Sequence, residues 1–165
     1  MSKKLRALVI ISDLHIGSTC ALLQPDFVTE KAQPVGQTPI SAWFWECWER
    51  GHKWLSGVVD PKEYGLVLNG DCIEGNHHRT DEIWSVNPRD HAKAAKEIIG
   101  PVARRAAKTF MVLGTKCHTG LSEISIAAEL RAEVNQEFKQ PFWERLAINI
   151  AGTPVTVPDP VCVRF

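Results

Sequence analysis

Three short stretches of the sequence combine carboxylates, imidazoles and glycines in a way that suits metal chemistry. They are Ser12-Asp13-Leu14-His15, Asn69-Gly70-Asp71 and Gly114-Thr115-Lys116-Cys117-His118. Carboxylate and imidazole groups are suitable ligands for manganese, iron, nickel or zinc, and alternate residues such as Asp13 and His15 can face one ion where a strand ends. The glycines allow the backbone to turn sharply close to a bound phosphate. The stretches therefore predict a site for metal ions and a phosphate group.

Each stretch follows a largely apolar run of five residues that is typical of a buried strand. The runs cover residues 7–11, 64–68 and 109–113, and residues 7–11 are expected to form a central strand. Ligands of open α/β sheets bind beyond the carboxyl ends of the strands. The polar stretches are therefore expected to meet at one edge of a sheet.

Helices are predicted between and after these strands. Thr38 and Pro39 are typical of a helix start. A second helix begins at Asn87-Pro88, where Gly100-Pro101 would kink or split it, and a third covers residues 122–138. The order β, α, β, α, β, α predicts an α/β fold with a largely parallel sheet and helices on both faces. The apolar stripe of the first helix, expected to pack on the sheet, consists of Ile40, Phe44, Cys47, Trp48 and Leu55.

The region after the third helix has the pattern of a β-hairpin. Leu146, Ile148 and Ile150 alternate with other residues, and Ala151-Gly152 is suited to a turn. The second strand of the hairpin is expected to contain Val155 and Val157.

Two of the polar stretches resemble motifs of a known family. Asp13-Leu14-His15-Ile16-Gly17 resembles the first motif of the calcineurin-like metallophosphoesterases, and Gly70-Asp71-Cys72-Ile73-Glu74 resembles their second. The resemblance covers roughly residues 5–120. It implies the fold of that family, with Asp13 and His15 holding one metal ion and Asp71 bridging two.

The third stretch departs from the family pattern. The family has Gly-Asn-His at this place, where Asn binds the second metal and His assists the leaving group. Gly114-Thr115-Lys116-Cys117-His118 looks instead like a phage-type variant with Gly-Thr-x-x-His. The resemblance therefore implies that His118 is the catalytic or oxyanion-stabilising histidine.

A literal Gly-Asn-His is present at residues 75–77, five residues after Gly70, with no strand between them. It therefore does not stand where the family has its third motif. Asn76 and His77 leave the same strand end as Asp71, so they could supply the second-metal ligand that Thr115 cannot, or contact the substrate phosphate.

The histidines are confined to the first part of the sequence. All six lie before residue 119, whereas the family completes its second metal site with later histidines. The resemblance thus implies that residues 1–165 form a single metallophosphoesterase-like domain whose C-terminal portion is missing, so that the chain ends before the second sheet of the fold is complete.

The function implied by the resemblance is hydrolysis of phosphomonoester or phosphodiester bonds with two divalent ions of Mn, Fe, Ni or Zn. The partner would be a phosphate ester, with nucleic acid and nucleotides among the candidates, and loops 17–38 and 75–87 would select it. One alternative is a truncated, non-catalytic relic that binds metal or phosphate. Another is one part of a site completed by a second chain. An unrelated nucleotide-binding module is not favoured, because neither GxGxxG nor GxxxxGK[ST] occurs.

The composition limits the partners and the cellular compartment that are expected for this protein. Nineteen basic and nineteen acidic residues balance, so no global field attracts nucleic acid or a membrane surface. The apolar run near the N-terminus is too short for a signal peptide or a membrane span. Five widely spaced cysteines without a CxxC pair are typical of a reducing compartment. These features predict a cytoplasmic protein without a membrane partner.

Some histidine and tryptophan side chains are expected to have structural roles only. His52 is predicted on a solvated helix face, and His91 is predicted to be structural. Helical spacing favours core packing for Trp48 and Trp54, while an exposed Trp45 would indicate a partner surface.

Overall fold

The computed structural model describes residues 5–76, 81–115, 121–133, 139–143, 146–150 and 153–157. The elements of this part of the chain follow the predicted order, and the predicted hairpin is confirmed, although its turn at residues 151–152 lies outside the described residues. The elements are β1 (Ala7–Ile11), α1 (Pro39–Val58), β2 (Tyr64–Asn69), α2 (Pro88–Arg105), β3 (Lys108–Val112), α3 (Leu121–Glu129), β4 (Leu146–Ile150) and β5 (Thr153–Val157).

The first three strands form a parallel sheet in the order β1-β2-β3. Val9 pairs with Leu66, and Val67 pairs with Phe110. For the described strands, the expectation that residues 7–11 form a central strand is wrong, because both crossovers step in the same direction and leave β1 at the edge of this sheet. Among the described strands none pairs with the outer side of β1, and Ile10 there is 50% exposed.

The two faces of this sheet are covered differently. Leu66 and Leu68 of β2 pack with residues of all three helices, whereas Val67 packs on the opposite face with Leu146 of β4. Helices on both faces were expected, and for the described residues this is wrong. Right-handed crossovers that step in one direction place their helices on one face, so the hairpin covers the other.

Helix α1 begins as predicted but packs less closely than predicted. The side chains of Thr38 and Ser41 form a capping box at its start. Trp45, Trp48 and Leu55 pack against the core. Two members of the predicted stripe, Ile40 and Phe44, are instead exposed. Trp54 is also exposed, at 68%.

Helix α2 runs without interruption beneath the sheet. The Asn87 side chain accepts a hydrogen bond from the amide of Arg89, which confirms the predicted N-cap. Pro101 does not split the helix. It lies in the last turns, where its missing N–H removes a single helical hydrogen bond. Tyr64 of β2 donates to the carbonyl of Val102 at 2.9 Å and ties the helix to the central strand.

Helix α3 is shorter than predicted. It ends at Glu129 rather than near residue 138, and residues 134–138 lie outside the described part of the chain. The amides of Arg131 and Ala132 donate to the carbonyls of Ala128 and Ala127, and Arg131 has φ of +54°. These are the bonds of a Schellman C-cap, which usually contains glycine.

No described helix has both the length and the apolar character that crossing a membrane requires.

Candidate metal centre

The first two polar stretches are held together by backbone pairing that continues beyond the ends of β1 and β2. The amide of His15 donates to the carbonyl of Asp71 at 3.0 Å, and that of Ile16 donates to Cys72 at 3.1 Å. The amide of Glu74 returns a bond to the carbonyl of Ile16 at 3.0 Å. Both loops therefore leave the sheet side by side, with their polar side chains at one edge.

Three residues in these loops share an uncommon backbone conformation. Asp13, His15 and Asp71 have φ values of +56°, +44° and +49°. Residues other than glycine seldom adopt this left-handed backbone conformation, although Asp and His are among those that do. Such conformations cost free energy and persist where the surroundings impose them, which occurs often at functional sites.

The side chains of these three residues converge. One ligand atom from each of Asp13, His15 and Asp71 lies within 4.8 Å of the other two. The Asp71 residue is only 4% exposed, whereas Asp13 is exposed. Two carboxylates and one imidazole form a donor set that suits a divalent transition metal. The expected meeting of these residues is confirmed, and the cluster could hold a metal ion.

Thr115 fixes the buried carboxylate from the third strand end. Its amide donates to Asp71 Oδ1 at 2.7 Å, and its hydroxyl lies 3.2 Å from both carboxylate oxygens. Gly114 is required beside it, because a Cβ at that position would lie 2.2 Å from Asp71 Oδ1. From the sequence alone, Thr115 is only a residue that replaces an Asn ligand. Its contact with Asp71 makes it part of the site.

Glu74 fixes the imidazole. Its Oε2 lies 2.8 Å from His15 Nδ1, and its side chain is 15% exposed. This hydrogen bond raises the pKa of His15 above its ordinary value; burial opposes the rise, and the charges of Glu74, Asp71 and Asp13 reinforce it. Glu74 ends the second motif, but no role was predicted for it from the sequence. Three carboxylates around one imidazole favour a bound cation.

Of the remaining predicted site residues, the structure describes Asn76 alone. Asn76 is exposed and donates from its amide to the carbonyl of Val86 at 3.3 Å. Among the described contacts none links Asn76 with Asp13, His15 or Asp71. His77 and His118 lie outside the described residues, so their roles stay predictions.

His91 supports the site from behind. Its ring is completely buried, and Nε2 lies 2.7 Å from the carbonyl of Ser85. A Cβ at Gly17, where φ is +123°, would lie 2.3 Å from His91 Nδ1, so α2 packs directly against the loop that carries His15. Burial lowers the pKa of His91, against the opposing effects of Ser85 and two carboxylates. The predicted structural role of His91 agrees with this position.

His52 differs from its prediction. It is half-buried rather than solvated, and its ring lies 4.5 Å from that of Trp48. Burial lowers the pKa of His52 as well. A single-sequence pattern places a residue on a helix face but does not show that its neighbour covers it.

A groove of about 990 Å³ lies between β1 and α1 and extends to the candidate metal centre. Ile10 and Trp48 line its apolar part, and Asp13, His15 and Glu74 line its polar end. The exposed stripe residue Phe44 also faces this groove, which explains why it does not pack on the sheet. The loops that follow the two ligand motifs contribute Ser18, Cys20, Ala21, Leu22 and Glu82.

Comparison with known proteins adds no relative, since no protein-family model, curated protein or solved structure matches the chain significantly. The family resemblance therefore rests on the sequence motifs alone.

Proposed function

We propose that this chain is a metal-dependent phosphoesterase that hydrolyses phosphomonoester or phosphodiester bonds. The observation that carries the proposal is the convergence of Asp13, His15 and Asp71 within 4.8 Å, at the carboxyl ends of two parallel strands. The calcineurin-like motifs in which these residues stand agree with this function. We further propose the family's dinuclear arrangement, in which Asp71 is shared by both ions.

Divalent ions of Mn, Fe, Ni or Zn at such a centre would lower the pKa of water and neutralise phosphate oxygens. The chain contributes the ligands and their orientation. Thr115 holds the carboxylate of Asp71, and Glu74 holds the ring of His15, so both ligands are positioned before an ion binds. Pre-positioned ligands reduce the reorganisation that binding and catalysis require.

The substrate would lie with its phosphate at the triad and its organic group along the groove between β1 and α1. The aromatic and aliphatic walls of that groove would contact an apolar or planar group. His118 is the proposed proton donor to the leaving oxygen. The balance of charges outside the site agrees with local rather than long-range attraction of the phosphate.

The experiment compares Asp71→Asn with the wild-type chain in Mn²⁺-dependent hydrolysis of bis(p-nitrophenyl) phosphate and p-nitrophenyl phosphate. Asparagine keeps an oxygen for the Thr115 amide, so the fold should persist by circular dichroism. We expect activity to fall by more than about a hundredfold, because even mutation of a residue that only supports a metal ligand lowers metal affinity or activity by about 10- to 100-fold. Asp60→Asn, at an exposed position after α1, is the control. Full activity in Asp71→Asn would contradict the proposal.

A second candidate function is metal binding without catalysis. It is favoured by Thr115, which stands where the family has a metal-binding Asn and is bonded to Asp71. One bound ion per chain with no turnover of either ester would favour this second function. Two ions with turnover would favour the phosphoesterase.

A further inference from the structure

The contact between Glu74 and His15 has a consequence for the metal centre beyond holding a side chain. Glu74 Oε2 lies 2.8 Å from Nδ1 of His15, within normal hydrogen-bonding distance. An ionised carboxylate can only accept hydrogen bonds, so the ring nitrogen that faces it carries the proton. In the neutral ring the lone pair is then on Nε2.

The second ring nitrogen lies on the side of Asp13. His15 Nε2 lies 3.9 Å from Asp13 Oδ1, a separation suited to two ligand atoms of one ion. The protonated nitrogen therefore faces Glu74, and the lone pair is on the nitrogen near Asp13, one of the three residues that converge.

The backbone determines which carboxylate takes this position. The carbonyl of Ile16 accepts from the amide of Glu74, and Ile16 and Ile73 form a parallel bridge. This pairing places Glu74 alongside His15, where its largely buried side chain is screened little by solvent. A carboxylate in this arrangement orients a metal-binding histidine and increases its basicity.

We infer that Glu74 is a positioning residue that sets the tautomer of His15, so that Nε2 is the metal ligand and the affinity for a divalent ion is raised. This inference rests on the proposed function only in its metal-affinity part. The tautomer exists in the metal-free protein and can be measured there.

The test uses the full chain labelled with ¹⁵N-histidine. Long-range ¹H–¹⁵N correlation spectra of the metal-free protein, recorded above the pKa of His15, report which ring nitrogen is protonated, and His15→Gln assigns the signal. We expect the Nδ1–H form in the wild-type chain and in Glu74→Gln, whose amide oxygen can still accept the bond. In Glu74→Ala the preference for Nδ1–H is lost.

Mn²⁺ affinity is then measured by calorimetry in the same variants. Loss of such a residue typically weakens metal binding by about 10- to 100-fold, so we expect that loss for Glu74→Ala and a smaller loss for Glu74→Gln, which removes the charge only. Glu97→Ala, which removes a carboxylate from an ion pair on α2, should leave both readouts unchanged.

An unchanged tautomer in Glu74→Ala, or a Kd within twofold of the wild-type value, would overturn the inference. If Glu74→Ala does not fold, Glu74→Gln decides, since unchanged Mn²⁺ affinity there contradicts the role of the charge. A wild-type chain that binds no Mn²⁺ would overturn the proposed function, whereas the tautomer still tests the role of Glu74 by itself.

Discussion

Each metal-ligand candidate is held by a neighbour that is not itself a member of the cluster. Asp71 accepts hydrogen bonds from Thr115, and His15 pairs with Glu74. The third candidate, Asp13, is contacted by the hydroxyl of Ser12. The site is therefore a set of ligands with their supports, and its properties depend on both.

Protonation of His15 competes with metal binding at this site. The pKa of His15 is raised above its ordinary value of 6.5, chiefly by the hydrogen bond that its ring donates to Glu74. A metal needs the unprotonated ring, so apparent Mn²⁺ affinity should fall as pH decreases through this raised pKa, by about tenfold per pH unit for one proton.

Calorimetric titrations between pH 6 and 9 measure this dependence. In the metal-free chain, folding stability depends on pH in the opposite direction. The raised pKa of His15 contributes stability that is fully present below the pKa of His15 in the unfolded chain. This stability is lost as pH rises through the pKa of His15 in the folded chain. A Mn²⁺ affinity that stays constant on lowering the pH to 6 would contradict a role for His15 as a ligand.

Gly114 gives a steric test of the site. A Cβ there would lie 2.2 Å from Asp71 Oδ1 and 2.5 Å from its backbone nitrogen. Gly114→Ala should therefore displace Asp71, lower the unfolding free energy by about 1–3 kcal/mol and weaken Mn²⁺ binding by at least about tenfold.

The matched control is Gly51→Ala in α1, where a Cβ would meet nothing within 4 Å. Alanine in a helix interior should raise stability by about 1 kcal/mol. Urea unfolding and calorimetry measure both variants. Equal Mn²⁺ affinity in Gly114→Ala and Gly51→Ala would show that Gly114 does not constrain the ligand.

At the scale of elements, α2 is the support for the ligand loop, and His91 is the point of contact. Its pKa is lowered by burial, so the unfolded chain takes up a proton at a higher pH than the folded chain does. Stability should therefore fall as pH decreases below about 6.5, with a slope of up to about 1.4 kcal/mol per pH unit from this one residue.

His91→Gln should flatten that slope, whatever its effect on absolute stability. The control variant is His52→Gln, because burial lowers the pKa of His52 as well. This variant should keep the part of the pH dependence of stability that comes from His91. Urea unfolding at a series of pH values provides the slopes. A slope in His91→Gln that matches the wild-type slope would contradict the buried, neutral state of His91.

The elements also show what a sequence pattern can and cannot indicate. The apolar runs, the caps at Thr38 and Asn87 and the hairpin alternation are local signals, so these predictions were confirmed. The end of α3 was not predictable, because its C-cap uses Arg131 in a conformation that normally indicates glycine. The edge position of β1 depends on the direction of the crossovers, which no local pattern encodes.

The same distinction applies to the site. Asp13, His15 and Asp71 were predictable because polar residues after parallel strands meet at one edge of the sheet. The roles of Glu74 and Thr115 were not, since they depend on the pairing of the two loops beyond the strands. The exposure of Trp54 and Phe44 likewise depends on the groove between β1 and α1.

At the scale of the whole molecule, a bound ion would join the ends of β1 and β2 and would thus stabilise the folded chain. A ligand that binds only the folded state adds about 2.7 kcal/mol at a concentration of 100 times its Kd. For a chain of 165 residues this corresponds to a rise in Tm of roughly 5–10 °C.

Thermal unfolding with and without Mn²⁺ measures this shift, and a chelator should reverse it. Asp71→Asn should remove most of the shift, while Asp60→Asn should retain it. A Tm that rises equally in all three chains would indicate binding away from the proposed centre.

The most direct test of the metal centre is an anomalous difference map from crystals of this chain soaked in Mn²⁺. We predict a peak coordinated by a carboxylate oxygen of Asp13, Nε2 of His15 and a carboxylate oxygen of Asp71, at the distances of about 2.0–2.2 Å that carboxylate and imidazole ligands form with such ions. A map with these three side chains well ordered and no peak between them would contradict the account.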